Sequence, residues 1–419
     1  MKIIHLSTSD LNGGAAIAAY RIYKAQLKNS NINSQFMVQR KKSNDDTVTA
    51  IGVSSFYTFL SNLLIWVDEL TIRMLSENLK GRFTFPFFGR DLTKNKLLME
   101  CDIVNLHWIN GAFLSLNSLE KLKQLNKPIV WTQHDMWAFT GGCHYTDGCV
   151  NFIRSCSNCP KLIFKSENDF SAKIFSRKKT IFDNMNLTIV SSSNWLAEET
   201  ERSQLLKTKK SYVIPTPIDF EIYRPINKEK SRIDMRLPLD KKLVLAGAMN
   251  LKDERKGFLY LIQALQIIYD SNNKLCSDIE LVVFGKLDEN ILNKIPFKVN
   301  QLGRLINEGD IVKAYNTADI YLAPSLEDNL PNTIMEAMSC GIPVVAFNVG
   351  GIPDMIDDGI NGLLAQLKSS KKLAKSIELI LSDEELRKKF SLAAREKVIK
   401  NFDQNIIAKK YFDLYKNLL

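Results

Sequence analysis

Short apolar runs recur through the first half of the chain, and the segments between them carry apolar residues at a helical period. Runs of this length that end at turn-forming residues predict buried β-strands, whereas the longer periodic segments predict helices. We predict strands at residues 3–7, 35–38, 103–107, 129–133 and 187–191, with helices that include 15–28 and 118–125. This alternation favours a parallel sheet covered by helices on both faces.

The second half of the chain repeats the pattern. We predict strands at residues 243–246, 280–284, 320–323 and 344–347, and helices at 258–269, 310–316 and 331–338. Pro215 and Pro217 interrupt regular structure between the halves. The predicted fold class is therefore α/β, with one Rossmann-like domain at residues 1–213 and another at 214–400. An amphipathic helix within residues 401–419 is predicted to pack back on the first domain.

Length and charge narrow the function classes. A chain of 419 residues exceeds what one hydrophobic core usually serves, which agrees with two domains of about 200 residues each. The formal net charge of +10 favours an anionic partner, such as a phosphate-bearing substrate or an anionic membrane surface. No basic run interleaved with aromatic residues and no zinc-finger or helix-turn-helix pattern is present, so nucleic acid is not an expected partner.

The location of the protein is predicted from its apolar segments. The first ten residues contain too short an apolar run for a signal peptide, and the stretch 56–67 is too short for a bilayer span. We therefore expect a cytoplasmic protein, with or without peripheral contact with the inner membrane. Residues 56–74, which are apolar and aromatic and include Arg73, predict either a core helix of the first domain or a helix lying in a membrane interface.

Two features of the first half are candidate site elements. Gly13 and Gly14 follow the first predicted strand and open a helix, where backbone amides could approach a phosphate, although a glycine pair there often only makes a turn. His134 falls at the end of the strand 129–133, beside Asp135. Because ligands of such sheets bind at the carboxyl ends of strands, we favour a site residue over a buried, hydrogen-bonded imidazole.

Four cysteines follow within a short segment: Cys143, Cys149, Cys156 and Cys159. In a cytoplasmic protein they are expected to be thiols or metal ligands rather than disulfides. The last two have the CxxC spacing of a metal knuckle, and four thiolates would close a tetrahedral structural zinc site. Free thiols in a folded loop are the alternative, and either reading gives this loop a structural role.

The second half carries the strongest candidate site. Arg255 and Lys256 follow a predicted strand and precede a helix, where a guanidinium and an ammonium suit a diphosphate. Further along, Asp328 precedes a predicted helix that contains Glu336. The amides near Asn329 and Leu330, which lie near the start of that helix, could meet a phosphate, and Glu336 could accept hydrogen bonds from the hydroxyls of a ribose.

This segment resembles a motif of the GT-B glycosyltransferases, specifically of their large retaining family four. The family's hallmark is an acidic residue, seven others and then Glu, and it stands here as Asp328 to Glu336, followed by Ala-Met-Ser-Cys-Gly-Ile-Pro-Val-Val. Gly13-Gly14, Arg255-Lys256-Gly257 and residues 215–219 also resemble family elements. Residues 134–144 with the downstream cysteines look like the colanic-acid and exopolysaccharide branch. The resemblance implies two Rossmann-like domains that face each other across a cleft.

The resemblance also implies an activity. A sugar would move, with retention of configuration, from a nucleotide-diphosphate donor to a glycan or lipid-linked acceptor in bacterial surface polysaccharide synthesis. Arg255 and Lys256 would neutralise the departing diphosphate, so that catalysis needs no metal cofactor. The amides near Asn329 and Leu330, with Gly14, would hold its oxygens, and Glu336 would bind the ribose. Asp328 would bind the transferred sugar, and His134 one of its hydroxyls.

One departure from the family and two rival functions accompany this prediction. The family more often has Glu at the first acidic position, so Asp328 leaves the identity of the sugar open. A nucleotide-sugar epimerase or hydrolase on the same fold is the alternative enzyme, but the sequence offers no residue for its base. A catalytically silent donor-binding partner in a polysaccharide assembly complex is the alternative from another class.

Overall fold

The computed structural model describes residues 1–29, 31–52, 55–77, 82–250, 253–271, 274–286 and 289–419. These residues divide into two compact units, and each is described by itself. The first unit comprises Met1–Pro217 together with Gln404–Leu419, and the second comprises Ile218–Asp403.

The first unit is built on a parallel sheet of seven strands in the order β3-β2-β1-β4-β5-β6-β7. The strands are β1 (Lys2–Ser9), β2 (Asn33–Arg40), β3 (Val48–Ala50), β4 (Ile103–Leu106), β5 (Ile129–Gln133), β6 (Leu187–Ser191) and β7 (Lys210–Val213). Successive side chains of a strand point to opposite faces. Accordingly, Ile3 and Ile4 of β1 belong to different apolar clusters of this unit.

Helices cover both faces of this sheet. They are α1 (Gly14–Leu27), α2 (Ser55–Leu75), α3 (Lys96–Glu100), α4 (Leu116–Lys121), α5 (Phe170–Asp183) and α6 (Asn194–Arg202). Side chains cap the starts of α3, α4, α5 and α6. Asp169, for example, accepts a hydrogen bond from the Ala172 amide at the first turn of α5.

The second unit is a parallel sheet of six strands in the order β10-β9-β8-β11-β12-β13. Its elements are α7 (Lys228–Asp234), β8 (Lys242–Asn250), α8 (Phe258–Asp270), β9 (Ile279–Lys286), α9 (Glu289–Leu292), β10 (Val299–Gly303), α10 (Glu308–Thr317), β11 (Ile320–Ala323), α11 (Asn332–Ser339), β12 (Val344–Phe347), β13 (Gly362–Ala365), α12 (Ser370–Ser382) and α13 (Glu384–Phe402). Apolar clusters lie on the two faces of this sheet.

The last helix, α14 (Gln404–Lys416), belongs to the first unit. Its buried Ile407, Tyr411 and Tyr415 pack with Ile3 and Val130 of the first sheet. The predicted α/β fold with two Rossmann-like parallel sheets is confirmed. The strands β3, β7, β10 and β13, which the sequence analysis did not predict, are the edge strands of the two sheets.

Helix α2 has a packed face and an exposed apolar face. Ser61, Asp68 and Ile72 are buried in the first unit. The side chains on the exposed face recur at a helical period, and they are Phe59, Leu63, Trp66, Leu70 and Met74. Packing as a core helix of the first domain, one of the two predictions for this segment, explains the buried face but not the exposed apolar stripe. Within the described ranges, no helix has the length and apolar character needed to cross a bilayer.

Candidate functional site

The candidate site of the second unit lies at the point where the strand order of its sheet reverses. Strands β8 and β11 are neighbours, but the chain leaves β8 toward β9 on one side and leaves β11 toward β12 on the other. The loops after two such strands diverge and leave a crevice at their carboxyl ends. Arg255 and Lys256 follow β8, and Asp328 follows β11.

The two loops are joined by charged contacts. Lys256 Nζ lies 2.6 Å from Asp328 Oδ2, and Arg255 Nη1 lies 3.2 Å from Asp328 Oδ1. Arg255 Nη1 also donates to the Glu327 carbonyl oxygen at 2.8 Å, and its Nη2 lies 3.3 Å from Asp253 Oδ2. The structure thus brings the predicted cation pair and the predicted sugar-binding carboxylate together. Arg255 contacts three oxygen-bearing groups, so its guanidinium also braces the loop after β11.

Local sequence explains the position of the two cations. The Asp253 carboxylate accepts a hydrogen bond from the Arg255 amide and caps the short 3₁₀ turn that carries both basic residues. Gly257 follows in the left-handed region, at φ +65°. A Cβ atom at Gly257 would lie 1.8 Å from the Pro324 carbonyl oxygen. Only glycine therefore lets the loop after β8 approach the loop after β11 this closely.

Asp328 is a buried carboxylate held in its ionised form. Burial alone would raise its pKa, but the charges of Lys256 and Arg255 and hydrogen bonds from Lys256 and Ser325 lower the pKa to about 2. The Asn329 amide also donates to Asp328 Oδ1, at 3.2 Å. This amide, which the sequence analysis assigned to phosphate, therefore already serves the carboxylate.

The start of helix α11 lies just after this carboxylate. Its N-cap residue is Pro331, and no side chain caps the first turn. A helix end of this kind favours a negatively charged ligand, because the backbone amides of its first turn point outward and the dipole is positive there. Leu330, the second residue predicted to supply an amide, is buried directly before Pro331.

Glu336 lies on the second turn of α11, as predicted, and is buried. The Tyr315 hydroxyl, from α10, donates a hydrogen bond of 2.8 Å to Glu336 Oε2. A carboxylate accepts several hydrogen bonds, so this contact orients the group without exhausting its capacity.

Sequence reasoning missed several residues that hold this site: Tyr315, Ser325, Gly350 and Gly351. The Gly351 amide donates to the Asp328 carbonyl at 3.1 Å, and a Cβ at Gly350 would lie 1.9 Å from the same oxygen. The glycine pair follows the predicted strand 344–347, and a glycine pair after a strand of such a sheet could have been recognised as part of a site loop. No sequence pattern marks Tyr315 or Ser325 as a site residue, because each contacts a site carboxylate only in the folded structure.

In the first unit, Gly13 is the N-cap of α1, at φ +105°, and no side chain caps that helix. Asp10 organises the loop before it. The buried Asp10 carboxylate accepts hydrogen bonds from the amides of Leu11, Lys42 and Ser43 at 2.8–2.9 Å. The loop is therefore more than a simple turn, and it leads directly into the first turn of α1, which begins at Gly14.

His134 is half-buried after β5, and His107 lies next to it. His134 Nε2 is 3.0 Å from His107 Nδ1, and the two rings stack with their centroids 5.3 Å apart. Burial lowers the pKa of His134 to about 4, although the charge of Asp135 acts in the opposite direction. Asp135 itself pairs with His144, whose Nδ1 lies 2.7 Å from Asp135 Oδ2. His134 is thus a neutral group near pH 7.

The four cysteines are free thiols that line one cavity. Cys143, Cys156 and Cys159 are buried, and the Gly141 amide donates to Cys156 Sγ at 3.1 Å. Across the part of the chain that the structure describes, no three His, Cys, Asp or Glu side chains are grouped as metal ligands. The structural zinc site stays a prediction.

Comparison with known proteins identifies the second unit. Residues 240–383, which include Arg255, Lys256, Asp328 and Glu336, match the family model described as glycosyl transferases group 1. The chain carries a glycosyltransferase group 1 domain. The predicted glycosyltransferase is thereby confirmed, whereas retention of configuration and family four stay predictions.

Relatives of this chain are named as glycosyltransferases. The chain is 24% identical over 363 residues to the putative colanic acid biosynthesis glycosyl transferase WcaC of Escherichia coli (strain K12), and the alignment covers 83% of each chain. It is 29% identical over 235 residues to the N,N'-diacetylbacillosaminyl-diphospho-undecaprenol alpha-1,3-N-acetylgalactosaminyltransferase of Campylobacter jejuni, an alignment that covers 53% of this chain and 58% of that protein.

Solved structures share the fold over the whole chain. A sucrose-phosphate synthase from Thermosynechococcus elongatus superposes with a TM-score of 0.67 at 18% identity, covering 100% of this chain and 99% of the other. HepE from Anabaena, in complex with UDP-glucose, superposes with a TM-score of 0.66 at 15% identity and covers 100% of both chains. At these identities the likeness establishes the GT-B fold alone.

Proposed function

We propose that this protein is a retaining glycosyltransferase of family four. In this proposal it transfers a sugar from a nucleotide-diphosphate donor to a glycan or lipid-linked glycan in bacterial surface polysaccharide synthesis. One observation carries the proposal: Lys256 and Arg255 converge on Asp328 directly before the uncapped start of α11. A diphosphate is the ligand that uses two cations and a helix N-terminus together.

The donor contacts follow from this arrangement. Lys256 binds the diphosphate as a point charge, and the first-turn amides of α11 bind its oxygens. Glu336, oriented by Tyr315, accepts hydrogen bonds from the ribose hydroxyls. Asp328, kept ionised by the two cations, accepts hydrogen bonds from the hydroxyls of the transferred sugar.

The reaction breaks the bond between the anomeric carbon and the diphosphate. Positive charge develops on the sugar and negative charge on the leaving group, so fixed cations beside the leaving oxygens are the main catalytic contribution. Lys256 and Arg255 supply that charge, and in this proposal the chemistry needs no metal ion. The acceptor hydroxyl attacks from the face that the diphosphate leaves, and the leaving phosphate takes its proton. Configuration is then retained.

The first unit contributes its own groups to the proposal. Gly14 lies at the start of α1, where the positive end of the helix dipole suits a phosphate oxygen. His134, a neutral imidazole, suits a sugar hydroxyl. The names of the relatives support the acceptor class, since that of the Campylobacter protein contains a diphospho-undecaprenol.

A lipid-linked acceptor places the enzyme at the cytoplasmic face of the membrane, and the exposed stripe of α2 fits that location. Trp66 is 62% exposed in the middle of the stripe. Phe164, 69% exposed, follows Ile163, whose amide donates to the Leu75 carbonyl at the end of α2. Basic Arg73 and the net charge of +10 complement an anionic lipid surface. We propose that this face lies in the interfacial region of the membrane.

Product analysis tests the proposal against its rivals. A thermal-shift screen against UDP-, GDP- and ADP-sugars identifies the donor, because a ligand that binds the native state raises the melting temperature. Incubation of that donor with and without candidate acceptors should give a glycoside of retained configuration only when acceptor is present. An epimerised or hydrolysed donor without acceptor would favour the other enzyme class. Binding without turnover across acceptors would favour the silent partner.

A further inference from the structure

A chain of buried side chains leads from α1 to His134. Gln26 Oε1 lies 2.9 Å from His5 Nε2, and His5 Nδ1 lies 2.8 Å from His107 Nε2. His107 Nδ1 in turn lies 3.0 Å from His134 Nε2. Gln26 and His5 are fully buried, and His107 is nearly so. Three of the four histidines of the protein thus form one continuous series of hydrogen bonds.

The series has a direction because each neutral imidazole donates from one nitrogen and accepts at the other. Burial lowers the pKa of His5 and of His134 to about 4, and that of His107 well below its ordinary value, so all three are neutral near pH 7. The Gln26 Oε1 atom can only accept. His5 must therefore donate from Nε2, and His107 must donate from Nε2 to His5.

The same logic reaches the end of the series. His107 accepts at Nδ1, so His134 donates from Nε2, and its Nδ1 carries a lone pair instead of a proton. The identity of the first acceptor thus determines the tautomer of a residue three hydrogen bonds away. Bonds in such a series also polarise one another, which favours one direction over a mixture.

The Gln26 amide, whose Oε1 faces His5, also contacts two hydroxyl groups. Gln26 Nε2 donates to the Tyr415 hydroxyl at 3.1 Å, and the Ser34 hydroxyl donates to Gln26 Oε1 at 3.4 Å. Tyr415 is held in turn by Asn105, whose Nδ2 donates to the same hydroxyl at 2.7 Å. Helix α14 therefore supplies a contact to the amide from which the series starts.

We propose that Gln26 is a positioning residue that acts through His5 and His107. It holds His134 as the tautomer protonated on Nε2, with Nδ1 kept as a hydrogen-bond acceptor for a hydroxyl of the sugar substrate. The role in sugar binding rests on the proposed function, whereas the tautomer does not. A donor in place of Gln26 Oε1 would reverse every bond of the series and present an N–H to the same hydroxyl.

The tautomer can be measured directly on the full chain labelled with ¹⁵N-histidine. Long-range ¹H–¹⁵N correlation spectra near pH 7 distinguish protonated from unprotonated ring nitrogens, and a His134→Asn variant assigns the signals of His134. We expect His134 protonated on Nε2. His144 provides an internal contrast, since it donates from Nδ1 to Asp135 and belongs to no part of the series. Its expected tautomer is the opposite one, protonated on Nδ1.

Two variants test the role of Gln26. Gln26→Leu removes the acceptor, so the ring nitrogens of His134 should shift toward values of a tautomer mixture. Gln26→Glu keeps an acceptor and should preserve the wild-type pattern, and His144 should be unchanged in both variants. A wild-type His134 protonated on Nδ1, or a His134 spectrum that Gln26→Leu leaves unaltered, would overturn the proposal. If Gln26→Leu does not fold, the wild-type spectrum still decides.

The functional consequence has a separate readout. With the donor in hand, turnover should fall about tenfold in Gln26→Leu, the effect of weakening one hydrogen bond to a substrate, and Gln26→Glu should restore it. Equal loss in both variants would show that a structural role of Gln26, not its acceptor, matters for turnover. Because the tautomer is measured without any sugar, a wrong transferase assignment would leave that measurement standing.

Discussion

Lys256 Nζ lies 2.6 Å from Asp328 Oδ2, so the predicted leaving-group cation and the predicted sugar-binding carboxylate hold each other in place. Seventy-two residues separate them in the sequence, and they meet because their loops follow adjacent strands β8 and β11. This pairing keeps the Asp328 carboxylate ionised and orients both side chains before the donor arrives. Preorganisation of this kind lowers the reorganisation required during the reaction.

The glycine at position 350 should be required for the position of Asp328. A Cβ there would lie 1.9 Å from the Asp328 carbonyl oxygen, whereas a Cβ at Gly359 would meet nothing within 4 Å. Both glycines have positive φ, +59° and +74°, so alanine costs each about 1–2 kcal/mol in backbone strain. We expect Gly350→Ala to lower turnover tenfold or more and Gly359→Ala to leave it near wild type, in steady-state assays. Equal turnover in the two variants would show that displacing this backbone is harmless.

Asp68 should make stability depend on pH. Its carboxylate is buried in α2, and among the described residues no donor reaches either oxygen. Burial, and then the charge of Glu69, raise its pKa to about 6. A raised carboxyl pKa favours the protonated folded form, so stability is lost as pH rises from about 4 through about 6. The free energy of unfolding falls by about 2 kcal/mol by about pH 7.5.

An Asp68→Asn variant should remove that dependence. Denaturant unfolding should give the free energy of unfolding of both proteins at about pH 4 and at about pH 7.5. The difference between variant and wild type should rise in favour of the variant by about 2 kcal/mol from the lower to the higher pH. Asp183→Asn provides the matched control, because the Asp183 side chain is 47% exposed and paired with Lys179. A parallel pH profile for wild type and Asp68→Asn would mean that Asp68 does not carry a raised pKa.

The exposed stripe of α2 should bind anionic membranes. Wild type should float with vesicles that contain phosphatidylglycerol, and the double variant Leu63→Glu/Trp66→Glu should stay largely unbound, since it puts two negative charges on the apolar face. The control carries the same change at two exposed leucines of the second unit, Leu259→Glu/Leu392→Glu, and should float like wild type. Equal flotation of all three proteins would rule out this face as the membrane contact.

The sequence predicted the inner strands of both sheets, and it missed the edge strands β7 and β10 because they are exposed or only partly buried. An inner strand of a parallel sheet is buried on both faces and reads as an apolar run, as in β11 and β12. An edge strand such as β7, Lys-Ser-Tyr-Val, is largely exposed and carries no such signal. Strand β10 is likewise only partly buried.

The candidate site was only partly visible in the sequence. Arg255, Lys256, Asp328 and Glu336 could be found because each stands in a compact local motif. The histidine series could not, because His5, His107 and His134 belong to or follow three strands whose adjacency appears only with the sheet order β1-β4-β5. Contacts that depend on strand order leave no periodic pattern in the chain.

Binding of a nucleoside diphosphate tests the central claim most directly. Isothermal titration of UDP, GDP and ADP into wild type, Lys256→Ala and Lys375→Ala compares a cation of the site with an exposed lysine of the same unit. At least one of the three nucleotides should bind wild type and Lys375→Ala with equal affinity. The same nucleotide should bind Lys256→Ala at least tenfold more weakly, as expected for loss of a charge-assisted hydrogen bond. Turnover of Lys256→Ala should fall about 10²-fold. If Lys256→Ala bound the nucleotide as tightly as wild type, the donor site would not lie where Lys256 meets Asp328.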